Sequence, residues 1–345
     1  MNPTSAATPL RIVSIGGGTG LATLLRGLKR YARATHGGIE VTAVVTVTDD
    51  GGSSGRLRRD FDVLPPGDIR NCMVALSQDE TLLARLFNYR FSSGRGLKGH
   101  SFGNLFLTAM THLTGDFPQA VKLSAEVLAV AGRIYPSTGA NVTLEATLAD
   151  GTVISGESRI GRSKKRIAEV RLEPRRVRPV KETLQAIAAA DLITLGPGSL
   201  FTSIIPNLLV DGISKAIAQS SASKVYFANL MTQPGETLGF SVSDHVEMLL
   251  KHSGRCGKSL IDTCVVNSGQ LGSGAIRRYR AQSAQPVLVD SEKLDSLGIR
   301  VLSQDLVLKA GRGEQSKIRH DSSAIGAVAV ELAQEHRWKS KRLKP

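Results

Sequence analysis

The sequence predicts an α/β protein with a mostly parallel sheet, on three observations. Short apolar, β-branched runs alternate with segments of helical periodicity along most of the chain. Glycine is abundant, 35 residues in 345, and it gathers directly after those runs. Aromatic residues are sparse at 4%, which suits backbone-lined sites better than an aromatic recognition surface.

Composition narrows the classes further. A hydrophobic content of 41% with 21% charged residues is ordinary for a globular protein, and the length allows one large domain or two moderate ones. The net charge of +14 brings nucleic acid or a membrane surface into consideration, because basic patches attract polyanions. The excess is clustered. Arg162, Lys164, Lys165, Arg166, Arg171, Arg175, Arg176, Arg178 and Lys181 form one group, and Arg337, Lys339, Lys341, Arg342 and Lys344 form another. No zinc-finger spacing or aromatic RNA-binding run accompanies them, so solvated charge is expected and nucleic acid is not an expected partner. Electrostatic docking to an acidic partner is the alternative. Cys72, Cys256 and Cys264 form no C-x-x-C and are odd in number, as thiols in a reducing cytosol would be. Residues 1–9 lack the parts of a signal peptide, and no apolar run approaches the ~20 residues of a membrane helix. A cytoplasmic protein without membrane insertion is expected.

In chain order, residues 1–9 read as a frayed tail. Residues 11–15 form a short strand that runs into Gly16-Gly17-Gly18-Thr19-Gly20, after which Leu21, Leu24, Leu25 and Leu28 fall at helical spacing. Strand, glycine loop and helix is the context in which a glycine motif gains meaning, since a helix N-terminus offers free N–H groups to an anion. Leu21 stands where a dinucleotide fingerprint wants Gly or Ala, so phosphate binding is favoured over NAD, with tight helix–strand packing as the plainer reading. Residues 41–47 make a second strand, ending in Thr48-Asp49-Asp50-Gly51-Gly52-Ser53-Ser54-Gly55. Asp49 and Asp50 suit ribose hydroxyls or a divalent cation, and Ser53 and Ser54 suit phosphate or sugar oxygens. A polar loop capping the next segment is the plainer reading.

Pro65-Pro66-Gly67-Asp68-Ile69-Arg70-Asn71 turns the chain into a helix through Met73, Leu76 and Ser77, with Asp68 or Gly67 as cap and with Arg70 and Asn71 facing either a ligand or solvent. A linking helix is expected over 79–91 and a glycine loop over 92–96. Gly99-His100-Ser101-Phe102-Gly103-Asn104 then opens a helix with Leu107, Met110 and Leu113. The four-residue spacing puts His100 and Asn104 on one face of its first turn, where the histidine serves proton transfer or plain structure. A further helix is expected over 117–130. Alternation over 141–156 around Asp150-Gly151, with a strand at 167–172, predicts a hairpin-bearing, basic insertion.

Beyond it α/β alternation resumes: a helix at 181–190, a strand at 191–195, and the second glycine loop Gly196-Pro197-Gly198-Ser199-Leu200-Phe201-Thr202. Ser199 and Thr202 offer hydroxyls beside backbone N–H groups, as a phosphate cradle does. A strand at 225–229 ends in Asn229-Leu230-Met231-Thr232-Gln233-Pro234-Gly235-Glu236-Thr237. Asp244 complements a helix start, residues 263–266 and 287–290 read as strands, and Asp321 or Ser322 caps a helix over 324–334. Four strand ends therefore carry the polar and glycine-rich material, and in an open parallel sheet such ends converge on one ligand near a topological switch point. No P-loop, G-x-S-x-G or H-E-x-x-H motif is present.

These six motifs resemble those of the YvcK-type gluconeogenesis factors, relatives of the CofD-type 2-phospho-L-lactate transferases, over residues 10–335. The resemblance implies a Rossmann-like three-layer αβα fold with a mostly parallel sheet and a small β-rich insertion. The chain is expected to divide into a tail (1–9), a first part of the nucleotide-binding domain (10–132), the insertion (133–180), a second part (181–336) and a basic tail (337–345). It implies binding of UDP-sugars such as UDP-N-acetylglucosamine and a regulatory role in cell shape and envelope maintenance during gluconeogenic growth. The ligand residues it suggests are Gly16, Gly17, Gly18, Thr19, Gly20, Asp49, Asp50, Ser53, Ser54, Arg70, Asn71, His100, Asn104, Gly196, Gly198, Ser199, Thr202, Asn229, Thr232, Glu236 and Arg319, with Arg319 in the nucleotide-sugar site. In the CofD-type relatives the strand-end aspartates hold Mg²⁺ and substrate, which places Asp49 and Asp50 as metal ligands and Asp49, Asp50 and His100 as catalytic candidates of an alternative phosphotransferase. A polyanion-binding module is a second alternative. A homo-oligomer is expected, and Ser322 and Ser323, at a helix start beside Arg319, are candidate phosphorylation sites.

Overall fold

The computed structural model describes residues 8–35, 38–77, 82–309 and 317–342. The first half contains β1 (Leu10–Gly16), α1 (Gly18–Ala34), β2 (Ile39–Val45), α2 (Gly52–Phe61), α3 (Gly67–Leu76), α4 (Leu82–Asn88), α5 (Phe102–Thr114), α6 (Phe117–Val127) and β3 (Arg133–Pro136). The insertion holds β4 (Thr143–Leu148), β5 (Val153–Ser155), α7 (Glu157–Ile160) and β6 (Ile167–Glu173). The second half runs through α8 (Lys181–Ala188), β7 (Leu192–Leu195), a turn of π-helix (Leu200–Ile204), α9 (Ile205–Leu208), α10 (Ile213–Gln219) and β8 (Ser223–Phe227). It closes with α11 (Val242–His252), β9 (Thr263–Asn267), α12 (Ser273–Ala281), α13 (Ser291–Ser296), β10 (Arg300–Gln304) and α14 (Ser322–Arg342).

Seven strands form one sheet in the order β10-β9-β8-β7-β1-β2-β3, and every neighbouring pair is parallel. β1 is the axis: Ile12 stands opposite Val41 on one side and Leu192 on the other. Helices cover both faces of such a sheet, which is why β1, β2 and β7 are almost wholly apolar and buried. Chain order reverses between β1 and β7, so the switch point lies between them. α1 and α14 pack together on one face, with α14 lying along β1, β7 and β8. The crossover from β7 to β8 runs the opposite way from that of β1 to β2, so right-handed connection puts α10 on the other face. α9 there contacts both β1 and β6, seating the insertion on the body. The insertion is a three-stranded antiparallel sheet in the order β5-β4-β6.

Several boundaries differ from expectation. β2 stops at Val45, and residues 52–55 of the supposed loop are the start of helix α2, which runs on to Phe61. Residues 133–136 belong to the main sheet beside β2 and not to the insertion. Residues 287–290 make only a single bridge, Leu288 to Ser241, and β10 takes the edge position. The cap of α3 is Pro66, not Asp68 or Gly67. α6 ends at Val127. The linking helix is described only over Leu82–Asn88, and residues 78–81 lie outside the described residues.

The two tails are also reassigned where they are described. Residues 337–342 are the last turns of α14. Arg337 pairs with Asp191, donating through Nε at 3.2 Å, and its Nη1 donates to the carbonyl of Thr8 at 2.7 Å. Residues 1–7 and 343–345 lie outside the described residues. Among those described, no single helix is long and apolar enough to cross a membrane. The bent pair Leu200–Leu208 and Ile213–Gln219 passes on length and composition only.

Candidate functional site

The loops after β1 and β7 touch at the switch point. Gly17 is the extended N-cap of α1, and Gly18 follows at φ +59°. A methyl group on Gly20 would lie 2.3 Å from the carbonyl oxygen of Pro197, so only glycine lets the two loops meet. Over them opens a cavity of about 650 Å³, lined by Gly17, Gly18, Thr19, Gly20, Gly198, Ser199, Asn229, Thr232 and Arg319 among the expected residues. Arg26, Lys317, Tyr279, Gln233, Ser203, His320 and Ser322 complete much of the wall. Among the described residues the lining carries Arg26, Lys317 and Arg319 and no carboxylate. That composition suits an anion lying across the two loops.

A second pocket of about 220 Å³ shares Gly18, Thr19, Ser199 and Ser203 with the first and has the opposite character. Asp49, Asp68, Glu157 and Thr202 line it. Asp49 accepts from the Gly51 N–H at 2.9 Å and from the Ser54 hydroxyl, and a methyl on Gly67 would meet its other oxygen at 2.4 Å. Burial raises its pKa, with the Asp50 charge adding to the effect. Asp68 accepts from the Gly18 N–H and from the Asn71 side chain, yet burial first and the Asp49 charge second push it up to about 7. Glu157 comes from α7 of the insertion. Burial, then the charges of Asp49, Asp68, Asp50 and Glu236, push it up to about 8.

Asp50 is not part of this pocket. Its Oδ1 accepts from the Ser158 N–H at 2.8 Å, and a methyl on Gly156 would meet its Oδ2 at 2.4 Å. Asp50 therefore holds the insertion to the strand end, while Asp49 faces the ligand space. The two carboxylates diverge, and among the described residues no group of three or more His, Cys, Asp or Glu side chains is disposed to hold a metal ion.

Other expected residues sit one layer back. Ser101 is the N-cap of α5, so His100 precedes the helix and does not share a helical face with Asn104. His100 Nδ1 meets the Ser53 hydroxyl at 2.9 Å, and Asn104 Nδ2 donates to Ser54 at 3.4 Å. All four are buried and none lines either pocket. Arg70 donates to Asn71 Oδ1 at 2.6 Å and to Asn88 at 3.0 Å, a bracket behind Asp68. Glu236 is buried, accepting from Thr202 Oγ1 at 2.8 Å and the Phe201 N–H at 3.0 Å, and so fixes the turn of π-helix. Gly16 lies beneath the cavity, its carbonyl accepting from Asn207 at 3.1 Å, while Gly196 (φ +71°) shapes the second loop from behind. Asn229 Oδ1 accepts from the Gly198 N–H at 3.4 Å, and Gln233 donates to Ser199 at 2.8 Å. Ser322 lines the cavity, whereas the Ser323 hydroxyl contacts Arg30.

Sequence reasoning passed over Glu157, Arg26, Ser203, Tyr279 and Lys317, and treated Asp68 only as a cap. Asp68 stands in the first turn of α3, within the Pro65–Asn71 motif, and was legible on that ground. Glu157 carried no signal, because nothing local says that the insertion folds over the strand ends.

A family profile described as 2-phospho-L-lactate transferase CofD matches residues 12–307. The chain is 47% identical to the gluconeogenesis factor of Bacillus subtilis, covering 94% of this chain and 98% of that protein. It is 45% identical to the gluconeogenesis factor of Halalkalibacterium halodurans, covering 93% and 95%. The crystal structure of a Bacillus halodurans protein superimposes with a TM-score of 0.87 at 44% identity, covering 93% of this chain and 99% of that one. The chain belongs to the CofD family, in its gluconeogenesis-factor branch.

Proposed function

We propose that this protein is a gluconeogenesis-linked regulatory factor that binds a nucleoside-diphosphate sugar such as UDP-N-acetylglucosamine. The observation that carries the reading is the cavity of about 650 Å³ at the switch point, floored by two touching glycine loops and walled by Arg26, Lys317 and Arg319, with no carboxylate among the described lining residues. Its size falls within that of small-ligand pockets. The diphosphate lies over residues 17–20 and 198–199, and Arg319 neutralises it. Tyr279, the one Phe, Tyr or Trp side chain among the described lining residues, offers a face for the base. The same reading extends to cell shape and envelope maintenance in the cytoplasm, since a UDP-sugar is an envelope precursor.

Titration calorimetry with UDP-N-acetylglucosamine tests it. Wild-type protein binds, and Arg319→Ala weakens binding roughly tenfold to a hundredfold, the usual worth of a charged hydrogen bond. No binding by wild type, or unchanged binding in the variant, defeats the assignment.

A transferase reading has one specific observation in its favour. Asp68 and Glu157 hold protons near neutral pH beside the phosphate loops, as acid–base catalysts do. A screen with nucleoside-diphospho-linked donors decides it: turnover that is lost in Asp68→Asn supports the reading, and absence of turnover dismisses it.

A further inference from the structure

Resting on the nucleoside-diphosphate reading, we infer that Glu157 is a specificity-determining residue. It selects a diphosphate capped by a neutral, hydroxyl-bearing group and turns away a free terminal phosphate. Two contiguous spaces of opposite character carry this. Among the described residues the larger cavity has cations and no carboxylate in its wall, and the smaller pocket, joined to it through Gly18, Thr19, Ser199 and Ser203, is walled by Asp49, Asp68 and Glu157. A diphosphate laid over the glycine loops has one end in each space.

Carboxyl groups recognise hydroxyls well, accepting their protons and, when protonated, donating in return. Once ionised they repel a phosphate dianion, and placing a repulsive element against the wrong ligand is how a site gains discrimination. Repulsion within the pocket is among the causes that raise Asp68 and Glu157, so near neutral pH they carry protons and Glu157 acts as a charge once pH passes about 8. Glu157 is the member that can set selectivity independently. Asp49 and Asp68 are tied to the backbone N–H groups of Gly51 and Gly18, whereas Glu157 arrives from the insertion, held there by the Asp50–Ser158 hydrogen bond.

The test is calorimetry at about pH 9, where Glu157 is ionised, with UDP-N-acetylglucosamine and UDP on the full chain, each in EDTA and in Mg²⁺. Wild type prefers the sugar nucleotide at least tenfold in both buffers. Glu157→Gln, which keeps size and removes charge, tightens UDP and shrinks the preference at least threefold, while Glu157→Asp keeps the discrimination. Retained binding of the sugar nucleotide and an unchanged melting temperature show that the glutamine variant folds. Equal wild-type affinity for the two ligands, or an unchanged ratio in Glu157→Gln, overturns the inference and leaves the binding reading standing. Mg²⁺ raising UDP affinity tenfold also overturns it, because a cation then takes the place assigned to hydroxyls. Failure of both ligands to bind overturns the underlying reading as well.

Discussion

Gly27 in α1 and Gly326 in α14 cross with their backbones in contact. A methyl group on Gly326 would lie 2.7 Å from the carbonyl carbon of Gly27, and one on Gly27 would lie 1.9 Å from the carbonyl oxygen of Ser322. The close approach brings the start of α14, with Arg319, His320 and Ser322 before and at it, over the ligand cavity. Gly27→Ala forces the helices apart, at a cost of about 2 kcal/mol after the gain in helix propensity. Chemical denaturation should show that loss, and calorimetry should show weakened binding of UDP-N-acetylglucosamine although residue 27 does not line the cavity.

Gly20 and Gly198 give a contrast within the loops. Alanine at 20 drives a methyl into the Pro197 carbonyl, whereas alanine at 198 meets only ordinary contacts at 3.6 Å or more. Gly20→Ala should separate the loops and lose at least tenfold in ligand affinity, with a fall in stability of about 1–3 kcal/mol. Gly198→Ala should melt within a degree or two of wild type. Equal melting temperatures for the two variants would argue against loop contact as the reason for Gly20.

Asp50→Ala removes the acceptor of the Ser158 N–H and loosens the insertion from the strand end. An unsatisfied amide costs about 1–3 kcal/mol, so local opening should become roughly tenfold or more easier. Hydrogen exchange followed by mass spectrometry should show faster exchange over residues 153–161 in this variant and not in Asp49→Asn, whose bond is to Gly51. Uniform protection in both would show that the insertion is anchored elsewhere.

His320 sets a pH dependence. Burial holds its pKa down to about 4, against the opposing effect of the Ala228 carbonyl, to which Nε2 donates at 3.2 Å. The folded protein keeps the ring neutral while the unfolded chain protonates below about 6.5, so stability falls as pH drops from 6.5 toward 4, by up to about 3 kcal/mol. Asp68 and Glu157, raised to about 7 and 8, act in the opposite sense. Their contribution is present at low pH and lost as pH rises through those values. Urea denaturation of wild type and His320→Gln across pH 4–7 separates them: the difference between the two curves should narrow as pH falls.

The glycine loops and the polar strand end were legible because backbone chemistry is local. Glycine, hydroxyl and carboxylate residues directly after an apolar run mark the carboxyl end of a buried strand, and the parallel sheet then brings those ends together. Helix α2 was hidden because Gly52, Ser53, Ser54 and Gly55 are poor helix formers. Gly55 packs onto the Asp50 carbonyl, so close contact rather than propensity holds that turn. β10, reading Arg-Val-Leu-Ser-Gln, was hidden because an edge strand is half exposed and needs no continuous apolar run. Residues 287–290 looked more strand-like and lie outside the sheet. The separate duties of Asp49 and Asp50 were illegible for a different reason: adjacent strand-end carboxylates look alike until the insertion claims one of them.

The crossing of Gly27 and Gly326 has a temporal side. α1 and α14 are separated by almost the entire described chain, and β1 pairs with β7 across the whole insertion. Contacts so distant in sequence form late, after the entropy of closing long loops has been overcome. During synthesis, therefore, the glycine loop of β1 emerges early but has no opposing loop, no Arg319 and no covering helix until the far end of the chain has folded back. On the binding reading proposed above, a saturating ligand should act on the protein as a late-stage folding aid rather than as an early template.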